Sequence, residues 1–246
     1  MTAQPLALTG ERTVPEVPAE NYWFRRHEAA YRYVRAEVTG PVVLEVGAGE
    51  GYGAAQLSRS GQQTVALDYD RAAIGHLHRR YPQLLAVQGN LAALPVRTAS
   101  TDTLVCLQVI EHVWDHPQFV SECARVLRPG GSLILSTPNR LTFSPDRARP
   151  RNPFHTHEFV AHELRGLIEH AGLQVLQLAG LVARERLREL DARWGGSLAD
   201  AQLAVDPGHW DADLRSDVAS VATDDFEFHD PAADDCLDLL LIARRR

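Results

Sequence analysis

The chain has 246 residues and a formal net charge of -7, and 45% of its residues are hydrophobic. This length allows one large α/β domain with an adequate core, and no apolar run reaches the ~20 residues of a membrane-spanning helix. The acidic balance argues against a nucleic-acid partner, because proteins that bind phosphate backbones usually carry a basic face. No signal peptide is visible at the N-terminus, so we expect a cytoplasmic protein.

Strand-like and helix-like patterns alternate along the chain. After an extended arm over 1–19 and a helix over 20–38, the patterns predict strands over 42–46, 64–68, 84–88, 103–108, 132–136, 173–178 and 237–243, and helices over 71–80, 118–127 and 160–171. Such alternation is typical of an α/β fold with a doubly wound, mainly parallel sheet, here of seven strands.

A glycine-rich turn follows the first predicted strand. Gly47 and Gly49 begin this turn, and backbone groups there can approach a ligand because glycine has no Cβ. The next predicted strand ends at Asp68, and an acid at that point suits hydrogen bonding to the hydroxyls of a ribose. The first half of the chain is therefore predicted to bind a nucleoside-like cofactor.

Two cofactors are compatible with these glycines. The dinucleotide pattern Gly-x-Gly-x-x-Gly/Ala fails when started at Gly47 and fits when started at Gly49, so the glycines alone do not exclude NAD. Glu45 favours S-adenosylmethionine, because an acid beside the turn could meet the cationic amine of that cofactor, whereas it would repel a pyrophosphate.

Further motifs resemble the class I S-adenosylmethionine-dependent methyltransferases over about residues 40–180. Val-Ile-Glu-His at 109–112 follows the fourth predicted strand, and Arg-Val-Leu-Arg-Pro-Gly-Gly begins a run over 125–139 that looks like the family's turn and fifth strand. The resemblance implies that the last strand is antiparallel and lies beside the fifth. Segments 21–31, 152–159 and 191–197 resemble an actinobacterial subgroup linked to methylglucose lipopolysaccharides, which implies a sugar O-methyltransferase.

The residues expected around S-adenosylmethionine lie at the carboxyl ends of strands or in the entry helix. They are Glu45, Gly47, Ala48, Gly49, Asp68, Tyr69, Asn90, Leu91, Gln108, Tyr22 and Arg26. Glu45 is expected to orient the amine, Asp68 to hold the ribose, and Tyr69 to cover the adenine. The alternative for Asp68 and Asn90 is a turn residue.

The reaction that the resemblance implies is an in-line displacement in which the acceptor hydroxyl must lose its proton. Glu111 and His112 follow the fourth predicted strand, on the methyl side of the expected pocket, and a later histidine is His157. We assign catalytic roles to His112, Glu111 and His157, with His112 as the base. The alternative for His112 is a loop-shaping residue bonded to the backbone.

A divalent metal is a second hypothesis for the same residues. Some related methyltransferases bind Mg²⁺ through Glu-x-x-Glu-His and a later histidine, which would correspond here to Glu111, His112 and His157, with Gln108 in place of the first acid. Loss of that acid weakens binding of a hard cation, and two imidazoles suit Mn²⁺ better than Mg²⁺.

Candidate acceptor-binding residues are aromatic or polar and lie in loops or in the late segment. They are Trp114, Phe143, His155 and Trp194. Arginines over 140–151 indicate either a solvated loop or a site for an anionic group of the acceptor. The aspartate-rich segment 206–238 indicates either a solvated excursion or a lid over the substrate.

The resemblance and these residues together predict a methyltransferase that acts on a hydroxyl of an α-glucan-type oligosaccharide, with the 6-hydroxyl of glucose suggested by the subgroup. The alternatives are a phenol or carboxylate O-methyltransferase and a non-catalytic S-adenosylmethionine-binding protein. We divide the chain into an arm with a cofactor-covering helix (1–39), a cofactor-binding core (40–183), an insert (184–235) and a last core strand (236–246).

Overall fold

The computed structural model describes residues 12–145 and 147–246. The first eleven residues of the predicted extended arm lie outside the described residues. Among those described, eight strands form one sheet: β1 (Val42–Val46), β2 (Gln63–Asp68), β3 (Leu85–Gln88), β4 (Thr101–Leu107), β5 (Leu127–Pro138), β6 (Leu173–Ala183), β7 (Phe226–His229) and β8 (Asp238–Arg245).

The strand order is β3-β2-β1-β4-β5-β8-β6-β7. The first five strands in this order (β3, β2, β1, β4 and β5) pair in parallel, whereas β8 is antiparallel to both β5 and β6. The predicted α/β fold with a mainly parallel sheet is confirmed, and β8 lies beside β5 as expected. The sheet has one strand more than the seven predicted, because the short strand β7 adds an antiparallel edge to β6.

The helices among the described residues are α1 (Asn21–Val34), α2 (Tyr52–Leu57), α3 (Arg71–Arg80), α4 (His116–Val126), α5 (Arg140–Phe143), α6 (Ala161–His170), α7 (Glu185–Arg193), α8 (Leu198–Ala204) and α9 (Ala212–Ser220). Local side chains fix where several of them begin. Asp70 accepts a hydrogen bond from the amide of Ala72 before α3, and Asp115 does the same for Gln118 before α4. None of these helices is long and apolar enough to cross a membrane.

The central strands are buried on both faces, which explains their nearly continuous apolar runs. On one face, Leu104 and Leu133 pack in a cluster with Phe119 of α4 and Ile168 of α6. On the other face, α1 covers the sheet, and Val34 of α1 is fully buried in a second apolar cluster. Packing on both faces of the sheet fixes the carboxyl ends of β1, β4 and β5, which lie under α1.

The segment between β6 and β8 folds into α7, α8, α9 and β7 and packs against α1. Trp210, Leu214 and Val218 form a buried cluster with Tyr22 of α1. The side-chain amide of Asn21 donates hydrogen bonds to the carbonyl oxygens of Val218 and Val221, each at 2.9 Å. Several acidic residues of the segment between β6 and β8 form ion pairs with its arginines: Asp217 with Arg193, Asp225 with Arg186 and Glu227 with Arg184. This segment is therefore a packed part of the fold.

Candidate active site

The glycine-rich turn after β1 contains two glycines with different surroundings. Gly47 has φ +74°, and a Cβ there would collide with the side chain of Val109. Gly49 has φ +51°, and the nearest atom to a Cβ there would be Cβ of Arg12, at 3.9 Å. Gly47 is thus required by packing, whereas a Cβ at Gly49 would make only an ordinary van der Waals contact with Arg12.

Alanine substitutions should separate these two roles. Gly47→Ala combines a left-handed backbone with a steric collision, so we expect it to lower the free energy of unfolding by at least about 2 kcal/mol. Gly49→Ala carries the backbone cost alone, about 1–2 kcal/mol, but adds a methyl group to the turn that is expected to approach the cofactor, so it should weaken binding of S-adenosylmethionine at least tenfold. Urea unfolding and calorimetric titration measure both quantities. Equal cofactor affinity in Gly49→Ala and the wild-type protein would contradict this account.

Asp68 at the end of β2 is held in place by backbone amides. Its carboxylate is nearly buried and accepts hydrogen bonds from the amides of Gly49 at 2.8 Å and Asp70 at 2.9 Å. These bonds fix the carboxylate and leave further lone pairs for hydroxyl donors. Tyr69 follows it with its side chain 58% exposed, which is compatible with covering an adenine.

Asn90 and Ala48 have protein partners of their own. The side-chain oxygen of Asn90 accepts a hydrogen bond from the amide of Ala92 at 2.9 Å, which is the geometry of a turn residue. The amide of Ala48 donates to the carbonyl oxygen of Leu67 at 3.0 Å. Leu91 packs half-buried against the main core. Contacts of Ala48, Asn90 and Leu91 with the cofactor therefore remain predictions.

Glu45 lies buried under α1 near the carboxyl end of β1. Its side chain is 1% exposed and accepts a hydrogen bond of 2.6 Å from the hydroxyl of Tyr31 in α1. Burial raises the pKa of Glu45 to about 7, although the bond from Tyr31 acts in the opposite direction. The Tyr31 hydroxyl of α1 pairs with one oxygen of this carboxyl group, and Glu45 does not line the cavity described below, so its contact with the cofactor amine stays a prediction.

The buried carboxyl group should make stability depend on pH. The unfolded chain releases the proton of Glu45 above pH 4.5, whereas the folded protein retains it to about pH 7. Stability is therefore lost as the pH rises through this window, by up to about 3 kcal/mol. Glu45→Gln should lack that part of the decrease, so its stability relative to wild type should rise with pH in urea unfolding experiments. Parallel pH profiles of the two proteins would contradict this.

Tyr22 and Trp194 lie away from the positions expected of them. The ring of Tyr22 is 2% exposed and packs edge-on against Trp23 and Phe226. The indole nitrogen of Trp194 donates a hydrogen bond of 2.9 Å to Asp217 of α9, within the late segment. Both side chains are apolar surfaces used to dock the late segment on α1, and neither lines the cavity.

A cavity of about 380 Å³ opens at the carboxyl ends of β4 and β5, below α1. Its aromatic wall is formed by Trp23, Phe143 and Phe154, and Glu20 and Asn152 provide polar groups. Leu203 of α8 reaches the cavity, whereas none of the described acids of 206–238 lines it. The late segment thus contributes an apolar contact, and the carboxylate lid suggested by the sequence is not formed.

Gln108 marks the point where β4 ends at the cavity. It has φ +56°, a left-handed conformation that is unfavourable for a residue with a side chain. Its amide donates to the carbonyl oxygen of Ser136 at 2.9 Å, and its side chain donates to the Ser136 hydroxyl at 3.2 Å. Strained backbone held in this way is common at functional sites.

Three potential ligand residues meet at one end of the cavity: Glu111, His112 and His155. One oxygen or nitrogen atom from each lies within 4.8 Å of the others. Burial raises the pKa of Glu111 to about 8, and burial together with the neighbouring His155 lowers the pKa of His112 to about 4. At neutral pH these groups are therefore a protonated carboxyl group and a neutral imidazole.

Each member of this cluster is oriented by a partner outside it. Thr137 donates a hydrogen bond of 3.0 Å to Glu111, and Nδ1 of His112 donates to the carbonyl oxygen of Phe154 at 3.1 Å. Nδ1 of His155 lies 2.8 Å from the buried carboxylate of Glu158. Both histidines thus direct Nε2 away from these partners, as metal-binding and catalytic histidines do.

His157 does not join the cluster, which corrects the sequence-based assignment. Its side chain is 41% exposed, and its Nε2 lies 3.5 Å from Glu163. The intervening Thr156 is anchored by hydrogen bonds to the carbonyl oxygens of Glu111 and Val113, at 2.7 Å and 2.5 Å. This anchoring places His155 in the cavity, a residue that was predicted to bind the acceptor.

Two other predicted residues differ from expectation. Trp114 is 89% exposed and does not line the cavity, although it lies two residues after His112. Arg26 does line the cavity, but its guanidinium binds Asp238 at 2.6 and 2.7 Å and the carbonyl oxygen of Leu237 at 2.7 Å. Its main interaction is a buried ion pair. Cavity residues that sequence patterns did not indicate include Arg12, Thr13, Glu20 and His27.

Comparisons with known proteins agree with this arrangement. A family model described as "Methyltransferase domain" matches residues 44–135, which contain the glycine-rich turn and β4. A relative in Mycobacterium tuberculosis (strain H37Rv), named "Probable S-adenosylmethionine-dependent methyltransferase Rv3030", is 51% identical, and the match covers 99% of this chain and 92% of the relative. The "Ubiquinone biosynthesis O-methyltransferase" of Xanthomonas oryzae is 30% identical over 62% of this chain and 70% of its own length.

Among solved structures, a methyltransferase from Thermotoga maritima described as a possible histamine N-methyltransferase superposes with a TM-score of 0.65. Its sequence identity is 14%, and the superposition covers 92% of this chain and 94% of that one, so the likeness concerns the fold alone. The extensive match to the mycobacterial relative, together with the site at the ends of β1, β2 and β4, shows that this chain belongs to the S-adenosylmethionine-dependent methyltransferases.

Proposed function

We propose that this enzyme transfers the methyl group of S-adenosylmethionine to a hydroxyl of a sugar, in an α-glucan-type oligosaccharide and at the 6-position of glucose. The observation that supports this proposal is a cavity lined by both aromatic rings and hydrogen-bonding groups. It is large enough for a small acceptor or the end of an oligosaccharide.

The aromatic wall supports an acceptor that has both apolar and polar faces. The rings of Trp23 and Phe143 lie 6.2 Å apart, and the ring of Phe143 lies 5.4 Å from that of His155 at an angle of 32°. A sugar ring can place its C–H face on such rings while its hydroxyls reach Glu20 and Asn152. We therefore still propose that Phe143 and His155 bind the acceptor, as the sequence predicted.

The cluster at the end of the cavity accounts for the proton that the hydroxyl must lose. The low pKa of His112 keeps its imidazole neutral at pH 7, so that Nε2 can accept a proton. Glu111 remains protonated beside it, and its burial excludes water from that side. The Phe154 carbonyl oxygen holds the tautomer in which Nε2 is the acceptor.

The same three residues fit a divalent metal ion, with His155 in the place expected for His157. Glu111, His112 and His155 would hold the ion, and Glu158, Thr137 and the Phe154 carbonyl oxygen would orient these ligands. Two imidazoles and one carboxylate suit Mn²⁺ better than Mg²⁺. A bound ion would lower the pKa of a coordinated hydroxyl group. Nε2 of His112 can act as the base or as a ligand, and sensitivity of the activity to a chelator distinguishes the two.

The acceptor class can be tested by transfer of a labelled methyl group to a panel with and without EDTA. The panel contains α-1,4-glucan oligomers, glucosylglycerate-type glycosides, catechols and small carboxylic acids. We expect label in the glucans. Phenols and small carboxylic acids are the alternative acceptors, and label in catechols or carboxylic acids alone would overturn the sugar proposal.

A further inference from the structure

We propose that Glu20 selects the acceptor: its carboxylate accepts hydrogen bonds from two adjacent hydroxyls of a neutral sugar and disfavours acceptors that carry a carboxylate or a phosphate. The inference rests on the proposed function and adds to it the charge of the acceptor. It concerns a residue to which no sequence pattern assigned a role.

Glu20 belongs to the face of α1 that borders the cavity. It immediately precedes the helix and already has helical backbone angles. Glu20, Trp23 and His27 follow one another at intervals of three and four residues, which places them on one helix face, and all three line the cavity. The ring of Trp23 lies 6.2 Å from that of Phe143 in the aromatic wall. A sugar that packs on this wall therefore lies beside the helix face that carries Glu20.

The carboxylate of Glu20 has acceptor capacity that the protein does not use. In the described part of the chain, none of the hydrogen bonds or ion pairs found involves its side-chain oxygens. Burial raises the pKa of this half-buried group, and no charge or donor among the described residues offsets that effect. A partly desolvated carboxylate without donors is unfavourable, so donors from a ligand are stabilising here.

The other titratable groups around the cavity are paired or neutral near pH 7. Four basic side chains of its wall are each paired with an acidic residue: Arg12 with Asp70, Arg26 with Asp238, Arg151 with Asp200 and His155 with Glu158. Burial lowers the pKa of His27 and of His112 to about 4, and Glu111, with a pKa of about 8, is protonated. Among the residues described, ionised Glu20 is therefore the charge in this wall that has no counterion.

This imbalance of charge distinguishes between classes of acceptor. An uncompensated carboxylate repels an anionic acceptor, which would also lose the hydration of its own charge on entering the cavity. A neutral sugar has neither cost, and two of its adjacent hydroxyls can donate to the two oxygens of one carboxylate. S-adenosylmethionine carries positive charge, so binding of the cofactor by Glu20 is the alternative that the experiment must separate.

Steady-state kinetics with Glu20→Gln and a set of related sugars test the hydrogen bonds. The acceptors are methyl α-maltoside and derivatives that each lack one hydroxyl. We expect Glu20→Gln to lower kcat/KM for the complete sugar by about 10–100-fold, because bonds to a charged acceptor are replaced by weaker ones. For a derivative that lacks a bound hydroxyl, the ratio of wild type to variant should fall at least about threefold, as in a double-mutant cycle.

The charge of the acceptor is tested with two inhibitors that share a sugar ring. Methyl α-glucoside is neutral and α-glucose 1-phosphate is anionic, and each competes with the maltoside. We expect the wild type to bind the neutral glucoside more tightly, and Glu20→Gln to narrow this preference at least about threefold, because the repelling charge is gone. Glu20→Asp keeps the charge on a shorter side chain, so it should retain the preference and lose part of kcat/KM; it gives the same comparison if Glu20→Gln does not fold.

Glu16→Gln is the control, since Glu16 precedes Glu20 by four residues, has a side chain 88% exposed and does not line the cavity. It should leave kcat/KM within about threefold of wild type, and Kd for S-adenosylmethionine should stay within about threefold in all variants. An equal loss for every deoxy derivative, an unchanged kcat/KM in Glu20→Gln, or a loss explained by weaker cofactor binding would each overturn the proposal. Failure of the sugar proposal is a separate result, because there the wild type itself transfers no label to the maltoside.

Discussion

His155→Ala is expected to lower kcat/KM for the acceptor by about 10²–10⁴-fold, the range typical for general acid–base catalysis, because it disrupts the cluster that contains the proposed base His112. His155 lies within 4.8 Å of Glu111 and His112 and is held by Glu158 at 2.8 Å. Its removal breaks the cluster whether the cluster acts through a base or through an ion. Steady-state kinetics with saturating S-adenosylmethionine measure this effect, and equilibrium dialysis tests whether the wild type binds Mn²⁺ and whether the variant does not.

His157→Ala is the matched control, because the two histidines lie two residues apart in the same loop. His157 is partly exposed and paired with Glu163, so its removal should leave kcat/KM within about threefold of wild type. The cofactor Kd should remain unchanged in both variants. The opposite order, with His157→Ala impaired and His155→Ala active, would restore the sequence-based assignment and contradict the geometry of the cluster.

Asp238→Ala is expected to lower the free energy of unfolding by about 3–5 kcal/mol, because it leaves the buried guanidinium of Arg26 without its partner. Arg26 and Asp238 side chains are 5% and 4% exposed, and their closest contact is 2.6 Å. This ion pair connects α1 with Asp238, the first residue of β8. Urea unfolding with a two-state fit gives the change directly.

Two further variants make the stability prediction specific. The double substitution Arg26→Met with Asp238→Leu removes both charges and should recover most of the loss, since a buried apolar pair has no uncompensated charge. Glu169→Ala, which breaks an exposed pair with Arg165 at 3.5 Å, should cost at most about 1 kcal/mol. A loss in Asp238→Ala no larger than in Glu169→Ala would contradict the buried-pair account.

Much of the fold could be predicted because the central strands are short apolar runs with turn residues at their ends. β1 has the predicted limits, Val42–Val46, and the antiparallel place of β8 followed from the family resemblance. The sequence did not indicate β7, because Phe226–His229 is only four residues long and lies among aspartates. Its strand character depends on pairing with the end of β6, which is a tertiary contact.

The site could be predicted where position at a strand end is sufficient, and less well where side-chain orientation decides. Glu111, His112 and Gln108 lie at the end of β4 and line the cavity as expected. The choice between His155 and His157 depends on how Thr156 is anchored, which periodicity does not encode. The His-x-x-Glu spacing of His155 and Glu158 was a usable signal for a paired histidine. The pairing of Glu45 with Tyr31 of α1 was not indicated, because it depends on how α1 packs on β1, which the strand pattern does not encode.

A crystal structure with S-adenosylhomocysteine, Mn²⁺ and an α-1,4-glucan oligomer would test the central claim most directly. We expect the sulfur at the Gln108 end of the cavity, with a sugar hydroxyl between it and the cluster of Glu111, His112 and His155. An acceptor bound outside this cavity, or a sulfur that faces away from the cluster, would contradict the account.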